Sequence, residues 1–182
     1  MLRKGHIGIT LTIISPIALA ACIVFPNYTA VLIFSGALTG SNLPDIDTST
    51  KLVKHRGFTH TFWFVGIVTI VSTIIMFVII SYIPIGRYIS FTSTDHMIAA
   101  LVFGASVGMG VLTHLLGDVI TPTGIKPYHP VTPRNILPIS MSEKKYVYEV
   151  ANASDPKYNA GFSVLGVLSA SISACIAGLI LV

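Results

Sequence analysis

The chain is written in long apolar blocks separated by short polar segments. Four blocks reach the roughly 20 residues that a helix needs to cross a hydrocarbon layer about 30 Å thick: Ile7 to Phe25, Thr61 to Ile83, Met97 to Leu116 and Gly161 to Val182. A fifth, Tyr28 to Leu43, is shorter and ends in polar residues. Such a segment either spans with a thin end or dips in and lines a cavity; we read it as a span. The pattern predicts an all-α integral membrane bundle of about five transmembrane helices, folded as a single domain over 1–182. Its motif-bearing part covers 6–138, followed by a surface segment over 139–160 and a C-terminal helix over 161–182.

The polar segments orient these spans, because Lys and Arg in short loops favour the cytoplasmic side. With Arg3 and Lys4 inside, Lys51, Lys54 and Arg56 also lie inside, as does the loop from Gly117 to Ala160 with Lys126, Arg134, Lys144, Lys145 and Lys157. Of the eleven basic residues only Arg87 then falls outside. This split supports five crossings and therefore a short second span. The long loop carries Pro122, Pro127, Pro130, Pro133 and Pro138, which forbid a long helix and favour an ordered, turning path. Gly124 is placed for a turn, and Ser142 to Asn159 reads as a short amphipathic or strand-like surface piece.

Composition agrees with the pattern. Of 182 residues 53% are apolar and 10% charged, with a mean hydropathy of +0.81, too apolar for an ordinary soluble domain. The net charge of +4 is mostly a topology signal. Nucleic-acid binding calls for basic residues interleaved with aromatics on one surface; Lys144-Lys145-Tyr146 is too little for that, although it suits a weak attraction to anionic headgroups. Cys22 and Cys175 lie in apolar blocks and read as small buried hydrophobes. Leu19-Ala20-Ala21-Cys22 also resembles a lipoprotein cleavage site, but the apolar run continues to Phe25 and Pro16 interrupts it early, which favours a retained span. Gly36 and Gly40, like Gly104, Gly108 and Gly110, have the small-residue spacing of close helix contacts.

Against this background the ionisable residues stand out, because hydrocarbon is a poor place for them. They fall in three runs: Pro44-Asp45-Ile46-Asp47, His55-Arg56-Gly57-Phe58-Thr59-His60 and His114-Leu115-Leu116-Gly117-Asp118. On the predicted topology His6, Asp45, Asp47, His55, His60, His114, Asp118 and His129 gather at the cytoplasmic end, while Asp95 and His96 fall on the far side. His114 and Asp118, four residues apart, share one helix face. Each group has an ordinary explanation: a turn or cap for the aspartates, a cap by Thr59 for the third span, a hydrogen-bonded interfacial role for a lone histidine such as His6. Their conjunction is what matters, since mixed imidazole and carboxylate donors match zinc or a similar divalent ion. More than four donors would accommodate two ions, an arrangement that clamps the attacking and leaving oxygens of a phosphoester. Arg56 is suited to grip a phosphate through paired hydrogen bonds.

Gly40-Ser41-Asn42-Leu43-Pro44-Asp45-Ile46-Asp47, His55 to His60, His114 to Asp118 and Thr121-Pro122-Thr123-Gly124 together resemble the YdjM-like inner-membrane proteins, described as metal-dependent hydrolases. The resemblance runs from His6 to about Pro138. It implies a divalent-metal site, with His6, Asp45, Asp47, His55, His60, His114 and Asp118 on the motif positions. A more distant similarity, through the helical His and Asp arrangement, is to the zinc-dependent phospholipase C and P1 nuclease group, and it implies phosphoester hydrolysis by a zinc cluster. Residues 161–182 match no motif.

The expectation is a membrane-bound hydrolase at the cytoplasmic surface of the cell (inner or plasma) membrane, acting on a phosphoester of a lipid or lipid-linked substrate. His6, Asp47, His55, His60, His114 and Asp118 are the expected ligands of a divalent metal, zinc in first place and manganese or magnesium as alternatives. Asp45 is expected as ligand or general base, Arg56 as the phosphate contact, and Thr121 and His129 as supports for ligands or substrate. A metal-ion carrier or sensor is the first rival, and a scaffold whose metal staples helix ends is the second. A carrier calls for polar residues through the membrane depth, whereas the middles of the third and fifth spans are nearly featureless and only the Ser, Thr and Gly positions of the second and fourth spans could line a path.

Overall fold

A computed structural model describes residues 1–25, 28–46, 57–82, 93–122, 124–128, 145–147 and 155–180. Among them are five helices: α1 (Arg3–Val24), α2 (Tyr28–Asn42), α3 (Phe62–Tyr82), α4 (Ser93–Val119) and α5 (Pro156–Ile180), with a 3-10 turn at Phe58–His60 leading into α3. The all-helical expectation holds. α1, α3, α4 and α5 are long and apolar enough to cross a membrane. α2 has 15 residues and is therefore about 22 Å long, short of the roughly 30 Å of a hydrocarbon core.

Local chemistry sets the helix ends. α3 begins where the Thr61 hydroxyl accepts the N–H of Phe64 at 3.3 Å, an N-cap contact. Thr61, not Thr59, is therefore the cap, and the Thr59 hydroxyl instead lies 3.0 Å from His60 Nδ1. α5 begins ahead of the Gly161 boundary because Asp155 accepts the N–H of Lys157 at 2.8 Å and Pro156 fills the first helical position, where its missing N–H costs nothing.

α1 passes through Pro16 without ending. A proline strips a helix of the bond to the carbonyl four residues earlier, here that of Thr12, and the Ser169 hydroxyl on α5 donates to this carbonyl at 3.3 Å. A neighbouring helix thus re-satisfies the group that Pro16 abandons, the usual remedy in apolar surroundings.

α4 is the axis of the bundle: α1, α2 and α3 pack against it, and α5 packs on α1. Small residues make these approaches possible. A Cβ on Gly40 would run into the backbone of Val107, one on Gly110 into the backbone of Ala37, and ones on Gly104 and Gly108 into Thr73 and Thr69. Gly8 and Gly166 do the same for α1 and α5, where the two backbones nearly touch. The interior between α1 and α2 is apolar, built from Ile14, Ala18, Ile33 and Ala37.

Outward faces are as apolar as the interior. Ile67, Ile70 and Ile74 on α3 and Val164, Leu168 and Ile172 on α5 are at least half exposed on the isolated chain, which calls for an apolar surrounding to cover them. Cys175 belongs to that outer face and is exposed, contrary to its reading as a buried residue, because α5 turns only a stripe containing Asn159, Gly166 and Ser173 inward. Cys22 is half-buried.

After α4 the chain turns at Gly124, whose φ of 55° is one that side-chain-bearing residues avoid. Ile125 then pairs with Tyr146 in an isolated antiparallel bridge, and the Pro127 carbonyl accepts the N–H of Phe62 at 2.9 Å. The loop is thereby tied across the start of α3, as an ordered, turning path requires.

Candidate metal centre

Four pieces of chain bring donors to one end of the bundle. α1 supplies His6 from its first turn, the α2 end supplies Asp45, the 3-10 turn supplies His60, and α4 supplies His114 and Asp118. His6, His60, His114 and Asp118 are almost completely buried. Asp45 sits in a turn closed by the N–H of Ile46 donating to the Leu43 carbonyl at 3.2 Å, with Pro44 in the position where its locked φ favours such a turn. Its side chain remains 35% exposed.

Asp118 is the hub. One carboxylate oxygen lies 3.2 Å from His60 Nε2 and 3.7 Å from His114 Nε2. The other lies 3.6 Å from His6 Nε2 and accepts a hydrogen bond from the Met1 amino group at 3.1 Å. Asp45 Oδ1 lies 3.5 Å from His114 Nε2. The rings of His6 and His114 are stacked, and that of His60 meets His114 edge-on.

The tautomer of His114 follows from its partner. Nδ1 lies 2.8 Å from the Ser41 carbonyl oxygen, which can only accept, so Nδ1 carries a proton, and in the neutral ring the Nε2 lone pair faces the carboxylates. Acceptors facing acceptors repel unless a cation sits between them. Tetrahedral ligands about 2.1 Å from an ion are about 3.4 Å apart, and the separations of 3.2 to 3.7 Å around His114 and Asp118 bracket that value. Most are too long for hydrogen bonds. Among the described residues neither nitrogen of buried His6, nor Nε2 of His114, has a hydrogen-bond partner. The donor set fits a divalent ion, and two overlapping triads can hold one: His6, His114 and Asp118, and Asp45, His60 and His114.

The remaining expected residues divide. Thr121 is buried and its hydroxyl donates to the Asp118 carbonyl at 2.8 Å, holding the turn that ends α4. Asp47, His55, Arg56 and His129 lie outside the described residues.

Several contributors were not singled out from the sequence. The Ser41 carbonyl orients His114. Gly117 makes room for His6, since a Cβ there would lie 2.7 Å from its Nδ1; its position inside the His114 to Asp118 run was the available signal. One turn deeper, the hydroxyls of Thr10 and Thr113 bond each other at 2.7 Å and set the register of α1 against α4. α5 holds α1 from behind, with Asn159 accepting the N–H of Leu2 at 3.0 Å and Ser163 donating to the Lys4 carbonyl at 3.0 Å. A cavity of about 730 Å³ opens beside Asp45.

A family model described as YdjM inner membrane protein matches residues 1–181. No curated protein and no solved structure matches the chain.

Proposed function

The chain belongs to the YdjM inner membrane protein family, and from that premise we propose that it is a multi-pass, metal-dependent hydrolase acting on a phosphoester of a lipid or lipid-linked substrate at the cytoplasmic membrane surface. The observation that carries the reading is His114 Nε2 placed 3.5 Å and 3.7 Å from the carboxylates of Asp45 and Asp118, with His6 and His60 beside it. His6, His60, His114 and Asp118 would hold the ion, zinc by the character of the donors. Because Nδ1 of His114 is committed to Ser41, its ring serves one ion, and the overlapping triads describe a single position unless Asp118 bridges to a second. A second ion would draw on Asp47 and His55.

A divalent ion at this place supplies Lewis acidity toward a phosphoryl oxygen and hydroxide at neutral pH. The protein supplies the rest. Asp45, half-open to the cavity, is placed to hold a proton or an attacking water at the edge of the buried cluster. Arg56, next to the 3-10 turn in sequence, grips the phosphate. Burial of the other donors excludes bulk water from the reacting face.

Against a carrier stands the interior beneath the cluster. Below the Thr10 and Thr113 pair the buried residues include Ile14, Ala18, Ile33, Ala37 and Val107 together with the hydroxyls of Ser15, Thr29 and Ser106, but among the described residues no buried imidazole or carboxylate that would ligate an ion across the bundle. A core with hydroxyls but no charged ligand supports a hydrolytic centre better than a path for an ion in transit.

Metal analysis of the purified protein, combined with a screen of phospholipids and soluble phosphodiesters, tests the proposal. The expected result is stoichiometric zinc and metal-dependent turnover, both lost in His114→Ala. A wild-type protein free of metal, or turnover indifferent to that substitution, would overturn it.

A further inference from the structure

The cavity beside Asp45 has walls of two kinds of residue. The polar ones are Arg3 from the start of α1, Thr39 and Asn42 from α2, and Asp45 itself; the apolar ones are Leu38, Leu43 and Ile46. Arg3 is not loose in this space. Its Nε donates to Asn42 Oδ1 at 2.7 Å, while the Asn42 amide is itself anchored by donating to the Leu38 carbonyl at 2.7 Å. The guanidinium is therefore held by one N–H and presents its terminal NH2 groups, the fork that matches two oxygens of a phosphate. Asp45 has a carboxylate oxygen 3.5 Å from His114 Nε2, and Arg3 is the cation among the described residues that line the cleft.

We propose that this cleft is the headgroup site of an anionic amphiphile: Arg3, positioned by Asn42, binds its phosphate or phosphonate group, and Leu38, Leu43 and Ile46 cover the first part of its apolar chain. The proposal rests on the hydrolase reading for the role of such a ligand, and it adds a second cation, distinct from Arg56, and the direction of entry between α1 and α2. A polar small phosphoester would leave the apolar wall unused. A neutral lipid would leave Arg3 without a partner. An anionic amphiphile satisfies both walls and enters from the bilayer without leaving its depth.

The test is binding, not turnover. Full-length protein in phosphatidylcholine nanodiscs is titrated calorimetrically with dodecylphosphonate, whose carbon–phosphorus bond resists hydrolysis, and in parallel with inorganic phosphate and with dodecanol. Dodecylphosphonate should bind more tightly than either comparison compound. Arg3→Gln should weaken it about tenfold, the loss expected for one charge-assisted contact at a partly exposed site, with metal content and thermal midpoint unchanged. Asn42→Ala should weaken it less, because the guanidinium persists but loses its orientation. Binding unaltered in Arg3→Gln would mark Arg3 as an interfacial charge only and sink the proposal. So would equal binding of inorganic phosphate and dodecylphosphonate, which would show the apolar wall to be idle. If the metal-loaded protein hydrolyses no phosphoester while dodecylphosphonate binds through Arg3, the hydrolase reading fails and the cleft assignment stands; turnover with an Arg3-independent ligand gives the reverse.

Discussion

The imidazole of His6 lies flat against that of His114, ring centroids 3.8 Å apart and planes inclined by 10°. The two residues are far apart in the sequence and on different helices, and the contact exists only because Gly117 has no side chain in the space that His6 fills. Adding a methyl group there is thus a sharp test. Gly117→Ala should lower metal affinity about tenfold to a hundredfold, the range seen when the groups that orient ligands are disturbed. Gly161, which has open space around it, supplies the control: Gly161→Ala should bind metal as wild type does. Competition against a zinc-sensitive dye measures both.

Asp45 differs from the other donors in being 35% exposed where they are buried. If it handles a proton in turnover, Asp45→Asn should lower kcat by about a hundredfold to ten-thousandfold while metal content and thermal midpoint stay near wild type. A metal loss equal to that of His114→Ala would make Asp45 a ligand instead. Elemental analysis alongside single-turnover kinetics distinguishes the two.

The Thr10 and Thr113 hydroxyls bond each other in a buried position one turn below the histidines. Thr10→Val and Thr113→Val should each destabilise the protein, and the double variant should cost less than the sum, with a coupling of about 0.6 kcal/mol, the average for such bonds between membrane helices. Unfolding in detergent measures the cycle. Strict additivity would mean that the pair does not hold α1 to α4.

Gly8 is where α5 braces the helix that carries His6. A side chain there meets the backbone of Phe162, which cannot rotate away. Gly8→Val should therefore cost about 1–3 kcal/mol as an overpacked contact and should also reduce metal occupancy, since α1 must shift. Gly66→Val, with nothing within 4 Å of its Cβ, should do neither. A Gly8→Val variant of full stability and full metal content would show α5 to be dispensable for the centre.

The helices were legible in the chain because membrane-length apolar blocks leave the backbone few alternatives, and α1, α3 and α4 end close to the predicted limits. The exceptions have local causes. Thr61 rather than Thr59 caps α3 because the Thr59 hydroxyl faces His60, and α5 starts early because Asp155 and Pro156 form a cap that apolarity does not reveal. The pairing of His114 with Asp118 was legible too, since a spacing of four residues puts side chains on one helix face wherever the helix goes.

By itself, then, the sequence determined an all-helical membrane protein, a clustering of imidazoles and carboxylates toward one end, and the small residues at which helices meet. Only the tertiary structure decided that the His6 ring stacks on that of His114, that the Ser41 carbonyl holds Nδ1 of His114, and that Arg3 shares a cleft with Asp45. Those facts depend on how helices distant in the chain are turned and shifted against one another. That relative placement is set by backbone contacts at Gly8, Gly40, Gly110 and Gly166 and by the Thr10 and Thr113 bond, and no periodicity within a single helix encodes it.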